Sequence, residues 1–184
     1  NELVSIIIPC YTNPSGELRR LIKSISRISY PKDKLEVALI EIISRLNADL
    51  DLNLKTQKYF VKKPIGYAEA LNYGIRESDG RYILVLNPDT QVDTMTLKVL
   101  LDCIRKNTKI GIVGPKILAL ENKQKISRYD LPGIDFFRWD SLFKKKQFLN
   151  FAKLTNPLEV QWVSGSCMLF PRIIWEKVGG FDES

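Results

Sequence analysis

No histidine occurs among the 184 residues, which removes Ser-His-Asp and Cys-His nucleophile systems and every zinc site that needs imidazole. A metal in this protein must therefore be held mainly by oxygen. Cysteine is scarce: Cys10, Cys103 and Cys167 lie far apart, lack Cys-x-x-Cys spacing and sit among apolar neighbours. They read as buried free thiols of a reducing compartment, and hence of a cytoplasmic protein. Long apolar runs are missing too. The stretch from Leu3 to Cys10 is interrupted by Ser5 and Pro9 and falls far short of the ~20 residues that span a bilayer. Neither a signal peptide nor a transmembrane helix is expected. The absence of Gly-x-Gly-x-x-Gly and of Gly-Lys-Ser/Thr takes the main support from dinucleotide and P-loop readings.

What is present suits a folded domain. Hydrophobic residues make up 45% and charged residues 27%, far from the composition of disorder. Twenty-eight Lys and Arg against 21 Asp and Glu give +7, which by itself suggests nucleic acid. No recognised motif or basic helix supports that reading, and nucleic acid is not the expected partner. The chain begins at Asn1 without methionine and stops at Ser184 without an evident helix end, so a longer polypeptide is expected.

Val4 to Ile8 is an unalternating β-branched run, as in a central strand covered on both faces of a parallel sheet. Leu18, Leu21, Ile22, Ile25 and Ile28 follow at helical spacing, with Arg19, Arg20 and Lys23 on the wet side. Tyr30-Pro31-Lys32-Asp33 breaks that helix before a second strand, Leu35 to Ile43. Residues 44 to 56 are ambiguous. A short strand at Gln57 to Lys62, a helix at Gly66 to Glu77 and a strand at Arg81 to Leu86 continue the alternation. Asp93 can cap a helix carrying Leu97, Leu100, Leu101 and Ile104, and Ile110 to Val113 restarts a strand. Beyond Gly114 the rhythm changes. A hairpin at residues 117–127, an aromatic-rich irregular region at 129–158, a strand at Val160 to Phe170 and a helix at Arg172 to Lys177 are expected. The fold class is α/β, with a mostly parallel sheet flanked by helices and a mixed C-terminal part. Residues 1–184 read as one domain, with a binding half at 1–115 and a second part at 116–184.

Open α/β sheets bind ligands at the carboxyl ends of their strands. Asn87-Pro88-Asp89 falls at such an end, where an oxygen ligand can hold Mg²⁺ or Mn²⁺ while water and diphosphate fill the other positions. The same residues also read as a turn that ends a strand and caps the next helix. Gly66 opens a helix whose amides and dipole favour phosphate, or is simply a helix start after Pro64; Asn72 further along can bond a base or sugar. Tyr11, after the first strand, can stack on a base or pack. Trp162 with Gly165 and Ser166 suits a sugar ring, with core packing as the alternative for Trp162. Lys144-Lys145-Lys146 beside Phe143 and Phe148 can touch anionic lipid headgroups at the inner face of a membrane, or form a solvated charged face.

Taken in order, Val4–Tyr11, Gly66–Ile75, Arg81–Thr90, Gly111–Ile117, Val163–Cys167 and Val178–Glu183 resemble the family-2 glycosyltransferases of the GT-A fold, most closely their rhamnosyltransferase-like branch. The resemblance implies inverting transfer of a sugar from a nucleotide-diphosphate donor to a saccharide or lipid-linked acceptor, with Mg²⁺ or Mn²⁺ as cofactor. It implies that Pro9 and Tyr11 cradle the nucleotide, that Asp89 holds the metal, and that Asn87 is a neutral partner touching ribose or reaching the metal through water. Acceptor binding falls on Trp162, Gly165, Asp182 and Glu183. The acidic residue usual at the end of strand two has Glu41 or Asn47 as stand-ins, and the general base is expected beyond Ser184. A noncatalytic nucleotide-sugar-binding or assembly domain is the alternative.

Overall fold

The computed structural model describes residues 2–11, 16–43, 54–117, 157–160 and 162–184. They form two compact units, residues 1–114 with 165–184, and residues 115–164. The expected division at 115/116 thus differs at the C-terminus, because 165–184 packs with the first unit. Described residues of the second unit, 115–117, 157–160 and 162–164, contain no helix or strand. The expected hairpin at 117–127 beyond Ile117, the three-lysine run at 144–146 and Asn47 lie outside the described residues.

The first unit holds one five-stranded sheet in the order β3-β2-β1-β4-β5. Its strands are β1 (Val4–Cys10), β2 (Leu35–Ile42), β3 (Lys55–Val61), β4 (Tyr82–Leu86) and β5 (Cys167–Pro171). Four run parallel, and β5 pairs antiparallel with β4. Every residue of β1 is buried, which explains its lack of alternation: both faces are covered. Val4, Ile6, Ile8 and Cys10 face α1 (Glu17–Ile25) and α3 (Thr96–Lys106), meeting Leu18, Leu21, Ile25, Leu97 and Leu101 in one core. On the opposite face α2 (Tyr67–Arg76) lies so close that a Cβ on Gly74 would come within 2.7 Å of Ile7 Cγ2.

Several expected boundaries move. The strand expected from Val160 begins only at Cys167, because pairing with β4 starts where Leu86 meets Cys167. Ile110 to Val113 yields no strand, only a single antiparallel bridge from Val113 to Leu169. Asp93 is not the cap of α3: its carboxylate accepts from the Met95 amide at 3.0 Å, forming a turn one step before the helix. Cys103 is half-buried rather than buried, while Cys10 and Cys167 are interior.

Two polar knots hold the amino-terminal end of the sheet. Glu36, only 4% exposed, accepts from Ser5 Oγ at 2.6 Å, from the Asp79 amide at 2.7 Å and from Lys55 Nζ at 3.0 Å. Gly80 is required beside it, since a Cβ there would overlap Ser5 Oγ and the Ser5 backbone nitrogen. Arg172, at the start of α4 (Arg172–Val178), donates to the carbonyls of Gly80, Ile75 and Ser78, each at 2.7 Å. Its rigid fork thus ties the end of α2 to the segment that leads into β4. Among the described residues no helix is long and apolar enough to cross a membrane.

Candidate active site

Strands β2 and β3 lie on one side of β1 and β4 on the other, so the direction of winding reverses between β1 and β4. Their carboxyl ends part there, and a crevice opens. A cleft of about 260 Å³ occupies this place, lined by Pro9, Tyr11, Glu17, Tyr67, Asn87, Pro88 and Asp89. Four of these, Pro9, Tyr11, Asn87 and Asp89, were singled out from the sequence.

Asn87-Pro88-Asp89-Thr90 is a tight turn, with the Thr90 amide and hydroxyl both donating to the Asn87 carbonyl at 3.1 and 2.7 Å. The turn reading and the site reading are therefore compatible. Closing the turn onto Asn87 leaves the Asp89 side chain exposed and lining the cleft. Among the described residues its carboxylate has no hydrogen-bond or ion-pair partner. The Asn87 amide donates to the Ser166 carbonyl at 3.1 Å, joining the turn to the segment before β5.

Pro88 lies inside the Asn87-Pro88-Asp89 turn already named, while Glu17 and Tyr67 are the lining residues to which sequence reasoning gave no role. Tyr67 opens α2, and its hydroxyl lies 2.9 Å from Asn87 Oδ1 and 2.8 Å from the Gly165 carbonyl. Burial first, then the neighbouring Tyr11 and Asp89, pushes the Tyr67 phenol up to about 12, so it stays protonated at neutral pH. Burial and the Glu69 charge raise Tyr11 also. Position after a helix-opening glycine was the only available signal for Tyr67, because its partner is 98 residues away.

Among the described residues the lining side chains include two carboxylates, Glu17 and Asp89, and no lysine or arginine. A diphosphate entering the cleft therefore meets negative charge, unless a cation accompanies it. Among the described residues no cluster of three or more His, Cys, Asp or Glu forms a metal cage. One or two carboxylates with an amide neighbour instead fit an ion that keeps most positions for water and phosphate oxygens, as Mg²⁺ does.

The remaining expected site residues lie elsewhere. Gly66 is the exposed N-cap of α2, adjoining Tyr67. Gly165 does not line the cleft; its carbonyl accepts from the Tyr67 hydroxyl at 2.8 Å. Glu41, at the end of β2, is 4% exposed, with Oε1 buried and unpartnered among the described residues; it does not line the cleft. Trp162 is half-buried and belongs to the second unit.

Asn72 requires correction. Rather than being free for a base or sugar, it is 3% exposed and its amide is fully engaged. Nδ2 donates to the Phe181 carbonyl at 2.8 Å and to Glu183 Oε1 at 2.7 Å, while Oδ1 accepts from Trp175 Nε1 and the Phe181 amide. Glu183 is thereby held on α2. Asp182 stays exposed and accepts from the Ser184 amide at 3.0 Å.

A parallel sheet with an antiparallel edge strand, flanked by helices and opening a cleft at its switch point, is the GT-A fold. The mannosyltransferase PcManGT from Pyrobaculum calidifontis, solved in complex with GDP-Man and Mn²⁺, has the same fold, with a TM-score of 0.70 at 20% identity over all of this chain and 48% of that one. Residues 5–179 match the family model "Glycosyl transferase family 2", and the chain belongs to that family. Among curated proteins it is 26% identical to the "Probable glycosyltransferase YdaM" of Bacillus subtilis, covering 98% of this chain and 43% of that protein. It is 27% identical over 117 residues to the N-acetylglucosaminyl-diphospho-decaprenol L-rhamnosyltransferase of Mycobacterium tuberculosis, covering 55% of this chain and 36% of that one. The chain thus spans less than half the length of these relatives.

Proposed function

We propose that the chain is the donor-binding part of a glycosyltransferase that moves a sugar, with inversion, from a nucleotide-diphosphate donor to a saccharide or lipid-linked acceptor. The observation that carries this reading is the cleft between β1 and β4, where the exposed Asp89 carboxylate lines the surface and, among the described residues, no lysine or arginine does. Asp89 would hold Mg²⁺ or Mn²⁺, with Asn87 beside it and Glu17 in the same cleft. When bound, the ion supplies positive charge for the nucleotide diphosphate that departs. Tyr11 offers an aromatic face to the base, and Pro9 shapes the wall beneath it. Glu41 lies off the cleft wall, buried at the end of β2, with a carboxylate oxygen that has no partner among the described residues; it would take the N–H of a pyrimidine or guanine base only where the end of β2 opens to admit it. Similarity to the mycobacterial L-rhamnosyltransferase supports a deoxyhexose or hexose as the transferred group.

The test is calorimetric titration of UDP, dTDP and GDP with and without Mn²⁺, on the protein and on Asp89→Ala. Binding of at least one nucleotide is expected to need the metal and to weaken about tenfold or more in the variant, the scale of one charge-assisted contact. Metal-independent binding that ignores the substitution would falsify the role of Asp89.

A further inference from the structure

Tyr67 lies where three parts of the first unit converge. Its Cα begins α2, its ring lines the cleft, and its hydroxyl reaches two oxygens from separate segments. One is Asn87 Oδ1 at 2.9 Å, at the end of β4; the other is the Gly165 carbonyl at 2.8 Å, just before β5. A phenol has a single proton. It can be shared between both oxygens, or it can go to Gly165 while Asn87, with its amide turned, donates Nδ2–H to the phenol oxygen. Either arrangement keeps the three groups tied.

The tie is reinforced on both sides. The Asn87 amide donates to the Ser166 carbonyl at 3.1 Å, so residues 87 and 165–166 are joined twice, once through backbone and once through Tyr67. A Cβ at Gly165 would stand 3.4 Å from the Tyr67 ring, an ordinary van der Waals distance, so the ring and residue 165 lie in direct contact. Without its hydroxyl the ring would still fill its space, but the Asn87 carboxamide would lose its link to Gly165.

We propose that Tyr67 is a positioning residue: its hydroxyl fixes the Asn87 carboxamide against the Gly165 carbonyl, and through Asn87 it sets the affinity of the cleft for a metal-bound nucleoside diphosphate. This rests on the donor-site reading given above. A phenol that remains protonated well above neutral pH suits a permanent donor. The role is distinct from that of Asp89, since Tyr67 acts on the orientation of a neighbour.

Two measurements on Tyr67→Phe test it. The first uses no ligand: hydrogen exchange at the Asn87 amide is expected to quicken about tenfold while the amides of Leu84 and Val85 keep their protection. The second titrates UDP, dTDP and GDP in the presence of Mn²⁺. Tyr67→Phe is expected to weaken binding three- to tenfold, the loss typical of one hydrogen bond. Against an Asn87→Ala background the same change should have no further effect, because a residue acting through Asn87 has nothing left to position. A structural role alone would lower the melting temperature and give additive losses in the double variant. Unchanged exchange, unchanged affinity or additivity overturns the proposal. Faster exchange with no nucleotide bound even by the unaltered protein keeps the tie but overturns both its role in affinity and the donor-site reading. Normal metal-dependent binding with no effect of Tyr67→Phe overturns the inference alone.

Discussion

The indole of Trp175 donates to Asn72 Oδ1 across 2.8 Å, from α4 to the buried middle of α2, over 103 residues of sequence. The same amide holds Phe181 and Glu183, and Gly180 makes this possible: its φ of +93° turns the chain, and a Cβ there would come within 3.0 Å of Asn72 Oδ1. Asn72→Ala should leave the indole and the Phe181 amide without acceptors and cost about 2–4 kcal/mol. Urea denaturation measures the loss. Limited proteolysis should show cleavage after Val178 well before global unfolding, and an unaltered urea midpoint would contradict the clip.

At the opposite end of the sheet, the prediction concerns acid. Burial works to raise the Glu36 carboxyl, but hydrogen bonds from Ser5, the Asp79 amide and Lys55, with the Lys55 charge, outweigh it and hold the carboxyl below its ordinary value of 4.5. A proton therefore binds the unfolded chain more readily than the folded one. The stabilisation is complete above pH 4.5 and is lost as pH falls through the lower folded value. Glu36→Gln should flatten that part of the stability curve, measured by urea midpoints from pH 6 down to about pH 3. Retention of the full acid slope would assign it to other carboxylates.

The sequence reading succeeded where the controlling physics is local or periodic. The unalternating Val4–Ile8 segment suits a strand covered on both faces, and the stripe from Leu18 to Ile25 needs a core beside it. The ends of β1 and β4 followed from strand positions, which is why Asp89 and Tyr11 could be named. Residues whose role is set by a partner far along the chain were not legible. Glu36 meets Ser5 across 31 positions, Tyr67 meets Gly165 across 98, and Asn72 meets Phe181 across 109. A polar residue on a helix looks available until its partners are known, so Asn72 was read as a ligand contact rather than a clip. The overlong strand from Val160 failed for a related reason: apolar β-branched content marks capacity for a strand, while the length of β4 decides how much pairs.

Thiol accessibility separates the three cysteines. Burial, and for Cys10 also the neighbouring Glu41 charge, pushes Cys10 and Cys167 up to about 12, leaving almost no thiolate at pH 8. Cys103, half-buried on α3, is the one expected to react with a soluble disulfide reagent in the native state. One thiol per chain should titrate quickly, and the other two only at the rate of unfolding or in denaturant. Rapid reaction of two or three would mean that the ends of β1 and β5 open readily.

Glu41 offers a test in which stability and binding should move in opposite directions. One of its carboxylate oxygens is buried without a partner among the described residues, a situation that costs stability in the free protein. Such an arrangement persists where a ligand supplies what the fold does not. Glu41→Gln keeps the shape and removes the charge next to Cys10. Its melting temperature should be equal to or above that of the unaltered protein, while affinity for the preferred nucleoside diphosphate falls about tenfold, the size of a lost charge-assisted bond to a base N–H. Selectivity among UDP, dTDP and GDP should narrow at the same time, because a glutamine amide can accept or donate and so discriminates less between base edges. A variant that is destabilised yet binds nucleotide normally would place Glu41 in the architecture of β2 and remove it from the donor site.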